Sequence, residues 1–311
     1  MARRLVAHGS VFDNDEKVSI VRRVLSGLEA VGVRRVWIMP DSFGIGHKAL
    51  DSLRLGLDVS VLPMPLTFTQ EDSTRAAALM AEAGAGCIVT LGGDGTNRAV
   101  AKGSGEVPLV PISTGTNNVF PTMIEGTIAG LAAGLVARGL AQDALCTAPR
   151  LDVTCPGSPV DIALIDVAVY DERFVASRAM WDAVKIKEVI LARVAPGSIG
   201  LSSIGAHLPD RDHRVGHGLH LRMGSGGHPV LAPIAPGLVR QVSLAETRPL
   251  APGDEVVVCH PEPGVLALDG EREIELRGGA TVRVRLTARG PRVVDVRRAI
   301  ELAARAGVFV T

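Results

Sequence analysis

The period of the apolar residues changes near residue 150, and this change constrains the fold more than any other feature of the chain. Before it, helical spacing alternates with short apolar runs. Asn14 to Ala30 places Val18, Val21, Val24, Leu25 and Leu28 on one helical face, and Val33 to Met39 reads as a strand closed by Pro40. His47 to Leu55 reads as a helix, Val59 to Leu62 as extended, and Ser73 to Ala83 as a helix behind an acidic cap at Asp72. Cys87 to Leu91 and Pro108 to Ser113 are compact apolar strands, with a helix opening at Asn97 to Lys102 between them and a Gly/Ala-rich helix at about Ile124 to Ala141 after them. Such alternation predicts a parallel sheet covered by helices.

From Leu151 onward the apolar residues alternate instead, as in Val160, Ile162, Leu164 and in Val282, Val284, Leu286, with Gly and Pro punctuating the segments. That is the pattern of antiparallel β structure, with Arg283 and Arg285 on a wet face. Val293 to Ala304 reads as a closing helix. The expected fold class is therefore α/β: an N-terminal Rossmann-like parallel sheet with helices, followed by an all-β, β-sandwich-like domain. The expected boundaries are 1–148 for the first, 149–290 for a β-rich substrate and oligomerisation domain, and 291–311 for a helix returning to the first.

A chain of 311 residues suits two domains, and 47% hydrophobic against 21% charged residues excludes disorder as a description of the whole. Thirty-three basic residues balance 33 acidic ones, and only nine residues are aromatic (six Phe, two Trp, one Tyr), which argues against a nucleic-acid partner. Four cysteines without C-x-x-C spacing suit a reducing compartment. No apolar h-region follows the first residues, and the most lipid-like stretch, Gly126 to Ala137, is short of the ~20 residues a spanning helix needs. A cytoplasmic protein with no membrane partner is expected.

The chemistry concentrates in Gly92-Gly93-Asp94-Gly95-Thr96, directly after an apolar strand and before a helix. Open α/β sheets bind ligands beyond the carboxyl ends of their strands. Glycines let a backbone approach phosphate closely, and a helix N-terminus favours negative charge. Asp94, a carboxylate among phosphate-facing amides, needs a metal or a transferable proton between itself and the ligand, which points to phosphoryl transfer. The bland reading is a tight turn with a solvated Asp. A second loop, Thr114-Gly115-Thr116-Asn117-Asn118, follows the next strand and is read either as a turn and cap or as a second wall of the same crevice.

These two loops resemble the signature of the superfamily joining NAD kinases, diacylglycerol and sphingosine kinases and the AcoX proteins. The AcoX branch is most similar, through Arg3 to Phe12, Met39-Pro40-Asp41 with Gly44-Ile45-Gly46, Arg98 to Gly103 and Pro111 to Pro121. Ala195 to Ser202 is similar to the T-P-T-G-S-T-A-Y stretch of NAD kinases, Ala232 to Pro236 to their P-I-x-P, and Leu268-Asp269-Gly270-Glu271 to the L-D-G-E of lipid kinases. On spacing alone Asp269-Gly270 is first a hairpin turn. The resemblance implies transfer of a phosphoryl group from ATP to a small-molecule hydroxyl with Mg2+. It implies phosphate or nucleotide contacts from Gly92, Gly93, Gly95, Thr96, Asn97, Thr114, Gly115, Thr116, Asn117 and Asn118. Asp94 and Glu271 would be the acids, with Glu271 facing Asp94 across an interdomain cleft, and Asp94 and Asp269 would be metal ligands. Asp166, Ser198, Leu201 and Ser202 would meet the substrate, and a homodimer or homotetramer is implied.

Three departures limit what the resemblance implies. Leu201 stands where NAD kinases carry a tyrosine against adenine, and Ile165-Asp166 stands where they carry Asn-Glu or Asn-Asp. The family's opening strand, ending in N-P-x-x-G, has no counterpart before Met1-Ala2-Arg3-Arg4, and a truncated start is expected, since a missing strand exposes a sheet edge. A lipid kinase, or a nucleotide-binding regulator without catalysis, remain as alternatives. Two rival signals are weaker. Gly44-Ile45-Gly46-His47-Lys48-Ala49 is a degenerate dinucleotide-binding G-x-G-x-x-A separated from its strand. His207, His213, His217, His220 and His228 cluster among glycines and are read as a solvated hairpin ahead of a zinc site, with Asp152, Asp161 and Asp166 read as mostly surface or turn residues.

Overall fold

The computed structural model describes residues 8–51, 53–155, 157, 160–171, 185–209 and 216–310. They form two compact units. The α/β unit comprises Val11–Thr114, Pro121–Thr147 and Pro291–Thr311; the β-rich unit comprises Met1–Ser10, Gly115–Phe120 and Ala148–Gly290.

In the α/β unit, α1 (Asn14–Ala30) begins at Asp13, whose carboxylate accepts the Glu16 N–H at 2.8 Å. β1 (Arg35–Ile38), α2 (Ile45–Leu50) and β2 (Asp58–Val61) follow, the strands pairing in parallel. Next come α3 (Glu71–Glu82), β3 (Ile88–Gly92), α4 (Asp94–Gly103) and β4 (Leu109–Ser113), with β3 and β4 parallel and Gly92 opposite Ser113. α5 (Gly126–Ala137) packs on α1 so closely that a Cβ on Gly130 would lie 2.2 Å from the carbonyl oxygen of Val24, which explains the glycines in that helix. β5 (Leu145–Thr147) pairs antiparallel with the strand Arg292–Val294, which also pairs in parallel with β4. The helix Val296–Arg305 then closes the core against Ala132, Val136 and Val294.

Three local expectations need correction. Val293 and Val294 are strand, since β4 and β5 offer them ladder partners, and the last helix starts only after Asp295 caps it through the Arg298 N–H. Asp72 is not a cap. It lies inside α3, 2% exposed, and its carboxylate reaches back to the N–H groups of Thr67 and Phe68, pinning a loop in which Phe68 has φ +60°. α4 begins at Asp94, so the helix starts within the glycine motif.

The β-rich unit contains β6 (Arg150–Thr154), β7 (Asp161–Ala163), β8 (Asp166–Tyr170), β9 (Ile186–Leu191), α6 (Ser202–Ala206) and the long hairpin of β10 (Gly218–Ala235) and β11 (Leu238–Leu250). β12 (Glu255–His260), β13 (Gly264–Leu268), β14 (Glu271–Leu276) and β15 (Ala280–Thr287) complete it. A six-stranded sheet runs β11-β10-β9-β8-β13-β14 and a four-stranded sheet runs β12-β15-β6-β7. Every pairing in both is antiparallel.

The central strands of the six-stranded sheet, β8 and β13, are buried on both faces. Val167, Val169, Leu266 and Leu268 join Leu151, Val153 and Val284 in the core between the sheets, whereas Ala168, Tyr170, Val265 and Ala267 join Leu201, Ile204 and Ala232 on the other side. Fully burying such side chains stabilises by about 1.5–3 kcal/mol each. β8 and β13 therefore carry continuous apolar runs. β15 keeps strict alternation: Val282, Val284 and Leu286 point inward, and Arg283 and Arg285 pair with Glu255 outside. Val160 departs from its expected alternation, being 70% exposed and just outside β7.

Candidate functional site

The glycine motif lies at the carboxyl end of β3. Gly92 ends the strand, and a Cβ there would lie 2.6 Å from Cβ and Oγ1 of Thr96, so the Thr96 side chain folds over Gly92. Gly93 is the cap residue of α4, extended at φ −100° and ψ −167°, and offers no side chain to the first-turn N–H groups. Asp94 is the first residue of that helix and is half-buried. A helix that starts this way leaves its positive end open to an anion.

Asn97 holds the motif in shape. It is fully buried; its Nδ2–H donates to the Gly93 carbonyl at 2.8 Å, and its Oδ1 accepts the Thr90 hydroxyl at 2.6 Å. This residue, expected to touch nucleotide, ties the loop to the strand. Thr90, which sequence reasoning missed, is the anchor, and the signal available for it was one polar residue inside an apolar strand. Thr114 is buried, its N–H reaching the Gly92 carbonyl at 3.4 Å and its carbonyl accepting the Phe12 N–H at 2.9 Å.

Gly115 to Asn118 count with the β-rich unit. Thr116 is exposed; its Oγ1 accepts the Ser10 N–H at 2.9 Å and its N–H donates to the Ser10 carbonyl at 3.0 Å. Asn118 Nδ2–H donates to the Gly115 carbonyl at 3.2 Å, and Asn117 is half-buried. Phe120 is buried with the Arg193 guanidinium 5.1 Å from its ring centroid, a stacking pair that the sequence did not reveal.

Elsewhere in that unit, Asp269 and Gly270 form the two-residue turn between β13 and β14, with φ +50° and +76°, the signs a type I′ hairpin requires. The Asp269 carboxylate is buried and turns inward. Its Oδ1 accepts the N–H groups of Leu164, Ile165 and Asp166 at 3.0, 2.7 and 3.3 Å, and Oδ2 shares that of Leu164 at 3.0 Å. This clamp fixes the start of β8, where Asp166 is 6% exposed, not the surface residue expected. Three amides converge on Oδ1 of the residue expected as a metal ligand. Glu271 opens β14, so it belongs to the β-rich unit while Asp94 belongs to the α/β unit.

Ala195 to Ser202 and Ala232 to Pro236 are brought together: the Gly200 N–H donates to the Pro233 carbonyl at 3.0 Å. Ser198 Oγ donates to the Ala195 carbonyl at 2.7 Å, Ser202 is fully buried with Oγ on the Ile199 carbonyl at 3.1 Å, and Leu201 packs in the core. These three are held by their own turn.

The rival signals resolve on geometry. At the start of α2 the Asp41 carboxylate accepts the N–H groups of Phe43 and Ile45 at 2.9 and 3.1 Å, so a carboxylate fills the place a dinucleotide phosphate would take. His207 Nδ1 lies 2.7 Å from the Leu231 carbonyl and His220 Nε2 lies 2.7 Å from Glu188, while His213 lies outside the described residues. Among the described residues no group of three His, Cys, Asp or Glu side chains is arranged to hold a metal, and no helix is long and apolar enough to cross a membrane.

Helix-covered parallel strands with this loop, joined to an antiparallel β unit, make an NAD kinase-like fold. A yeast NADH kinase solved with NADH superposes with a TM-score of 0.51 at 14% identity, covering 95% of this chain and 84% of its own. Residues 10–140 match the ATP-NAD kinase N-terminal domain family and residues 149–289 match the acetoin catabolism protein X C-terminal domain family. Acetoin catabolism protein X of Cupriavidus necator is 39% identical over 319 residues, spanning 97% of this chain and 89% of that protein. The chain belongs to the acetoin catabolism protein X family, as its motifs imply.

Proposed function

We propose that the protein is an ATP-dependent phosphotransferase whose acceptor is a hydroxyl of NAD or of a related small molecule. One observation carries this reading: Asp94 stands as the first residue of α4, behind a cap glycine that leaves the helix end open, at the carboxyl edge of a parallel sheet. The kinase family matched by this half of the chain supports it.

In this reading Gly92, Gly93 and Gly95 let the phosphates approach the backbone, and Thr96 offers its hydroxyl. The acceptor's O–H proton passes to the Asp94 carboxylate as its oxygen bonds the γ-phosphorus. The bond from that phosphorus to the β–γ bridging oxygen breaks and ADP leaves. Mg2+ commonly takes one or two carboxylates together with phosphate oxygens, so Asp94 fits as its protein ligand. The ion would neutralise phosphate charge.

The test is a coupled ADP-release assay with ATP and Mg2+ against NAD, NADH and a panel of small alcohols, followed by identification of the phosphorylated product. ATP binding by calorimetry with no product from any acceptor would leave a nucleotide-binding regulator in its place.

A further inference from the structure

A lysine stands on the apolar face of helix α1. Val21, Val24 and Leu28 follow one another at helical spacing and pack toward the core, and Lys17 takes the next place on that stripe, one turn before Val21. It lines the same cavity wall as these three residues. Lys17 is half-buried there, and among the described residues its ammonium makes no hydrogen bond or ion pair. Its neighbours in the first turn are engaged elsewhere: Asp13 caps the Glu16 N–H at 2.8 Å, and the Glu16 carboxylate pairs with Arg23 at 2.8 Å.

The length of the helix decides what Lys17 meets. The 17 residues of α1 span about 25 Å, whereas the four residues of β1 span about 13 Å. A short turn after Ala30 leads straight into β1, so α1 runs back along that strand and its first turn passes beyond the carboxyl end. Open α/β sheets bind their ligands at that end. Backbone hydrogen bonds fix the place more closely. The Phe12 N–H, just before the cap of α1, donates to the Thr114 carbonyl at 2.9 Å, and the Thr114 N–H donates to the Gly92 carbonyl at 3.4 Å. The lysine therefore comes where the contacts with the sheet have ended and the glycine motif begins, and Thr96 of that motif lines the same cavity.

Partial burial of a charge costs free energy unless something pairs with it, so packing alone would favour an apolar residue at this position. The glycine motif has the opposite need. Its amides and the Thr96 hydroxyl are neutral and Asp94 adds a negative charge beside them, whereas a nucleoside triphosphate brings several more. A lysine ammonium is a compact point charge suited to phosphate oxygens. We propose that Lys17 is a phosphate-binding residue of the nucleotide site, its ammonium resting on the terminal phosphate oxygens of a nucleoside triphosphate. The assignment rests on the phosphotransferase reading and adds to it a cation from outside both glycine loops.

Calorimetric titration of the full chain with ATP tests this. Lys17→Met should bind ATP about 10- to 100-fold more weakly, the usual contribution of a hydrogen bond to a charged group. Its affinity should also depend less on salt than that of wild type, and without nucleotide its Tm should be no lower, because methionine continues the apolar stripe. A second measurement needs no variant: acetic anhydride labelling of the wild-type chain, read by mass spectrometry. ATP should protect Lys17 and leave unchanged the labelling of Lys187, which pairs with Asp171 at 3.0 Å in the other unit. Wild-type affinity in the methionine variant, or labelling of Lys17 that ATP does not alter, would overturn the assignment and leave the phosphotransferase reading in place; the labelling decides if the variant does not fold. Failure of the wild-type chain itself to bind ATP would remove both.

Discussion

The side-chain amide of Asn97 donates to the backbone carbonyl of Gly93 at 2.8 Å, and through it the glycine motif is tied to its strand, since the same side chain accepts the Thr90 hydroxyl at 2.6 Å. The bridging side chain and its strand end are out of reach of solvent, with Asn97 at 0% exposure and Thr90 at 5%. Helix α4 therefore starts in one place, and Asp94 with it.

Asn97→Ala should cost stability and, through the loop, turnover. It strands the buried Thr90 hydroxyl, while the Gly93 carbonyl keeps the backbone N–H of residue 97 at 3.1 Å, a loss of about 1–3 kcal/mol. Urea titration should show a lower midpoint with an unchanged slope. Wild-type stability in the variant would mean that the bridge does not hold the loop.

Asp94→Asn tests the proposed chemistry without disturbing the fold. The substitution keeps size and shape at a half-buried position and removes the proton acceptor. Turnover should fall by about 10²- to 10⁴-fold, the usual range for general-base help, with Tm within error of wild type. Near-normal turnover in the purified variant would remove Asp94 from the mechanism.

The first half of the chain was legible because its elements are governed by local period: α1 falls at Asn14–Ala30, where the apolar spacing puts it. The strand Arg292–Val294 was not, because it exists only through partners more than a hundred residues away in sequence. At the site, the glycines were legible from composition and position. The parts played by Asn97 and Asp269 were hidden, because a side chain that touches ligand and one that satisfies a buried backbone group have the same composition. Only the partners, Gly93 for one and the amides of Leu164 to Asp166 for the other, tell them apart.

Replacing Asp269 should separate its two duties. Asp269→Asn keeps one acceptor oxygen and a residue type that tolerates φ of +50°, so a modest loss of stability is expected. Asp269→Ala leaves the N–H groups of Leu164, Ile165 and Asp166 without their acceptor and strains the turn, and should lose a further ~2–4 kcal/mol. Equal denaturation midpoints for the two variants would show that the carboxylate does not clamp β8.

Asp72 should make acid stability depend on the loop before α3. The Thr67 N–H, foremost, holds its carboxyl below the ordinary value of 3.8 against the opposing effect of burial, with the Thr67 hydroxyl and the Phe68 N–H helping. A carboxyl whose value is lowered by folding stabilises fully above its unfolded value, and that contribution fades as pH falls toward the folded one. Asp72→Asn should therefore melt below wild type at pH 6 to 7, and the gap should begin to close as pH drops below ~4, where the carboxyl of the unfolded chain takes up its proton ahead of the folded one. Melting curves from pH 7 to pH 3 measure this directly; a gap that stays constant across that range would show that the charge of Asp72 contributes nothing to it.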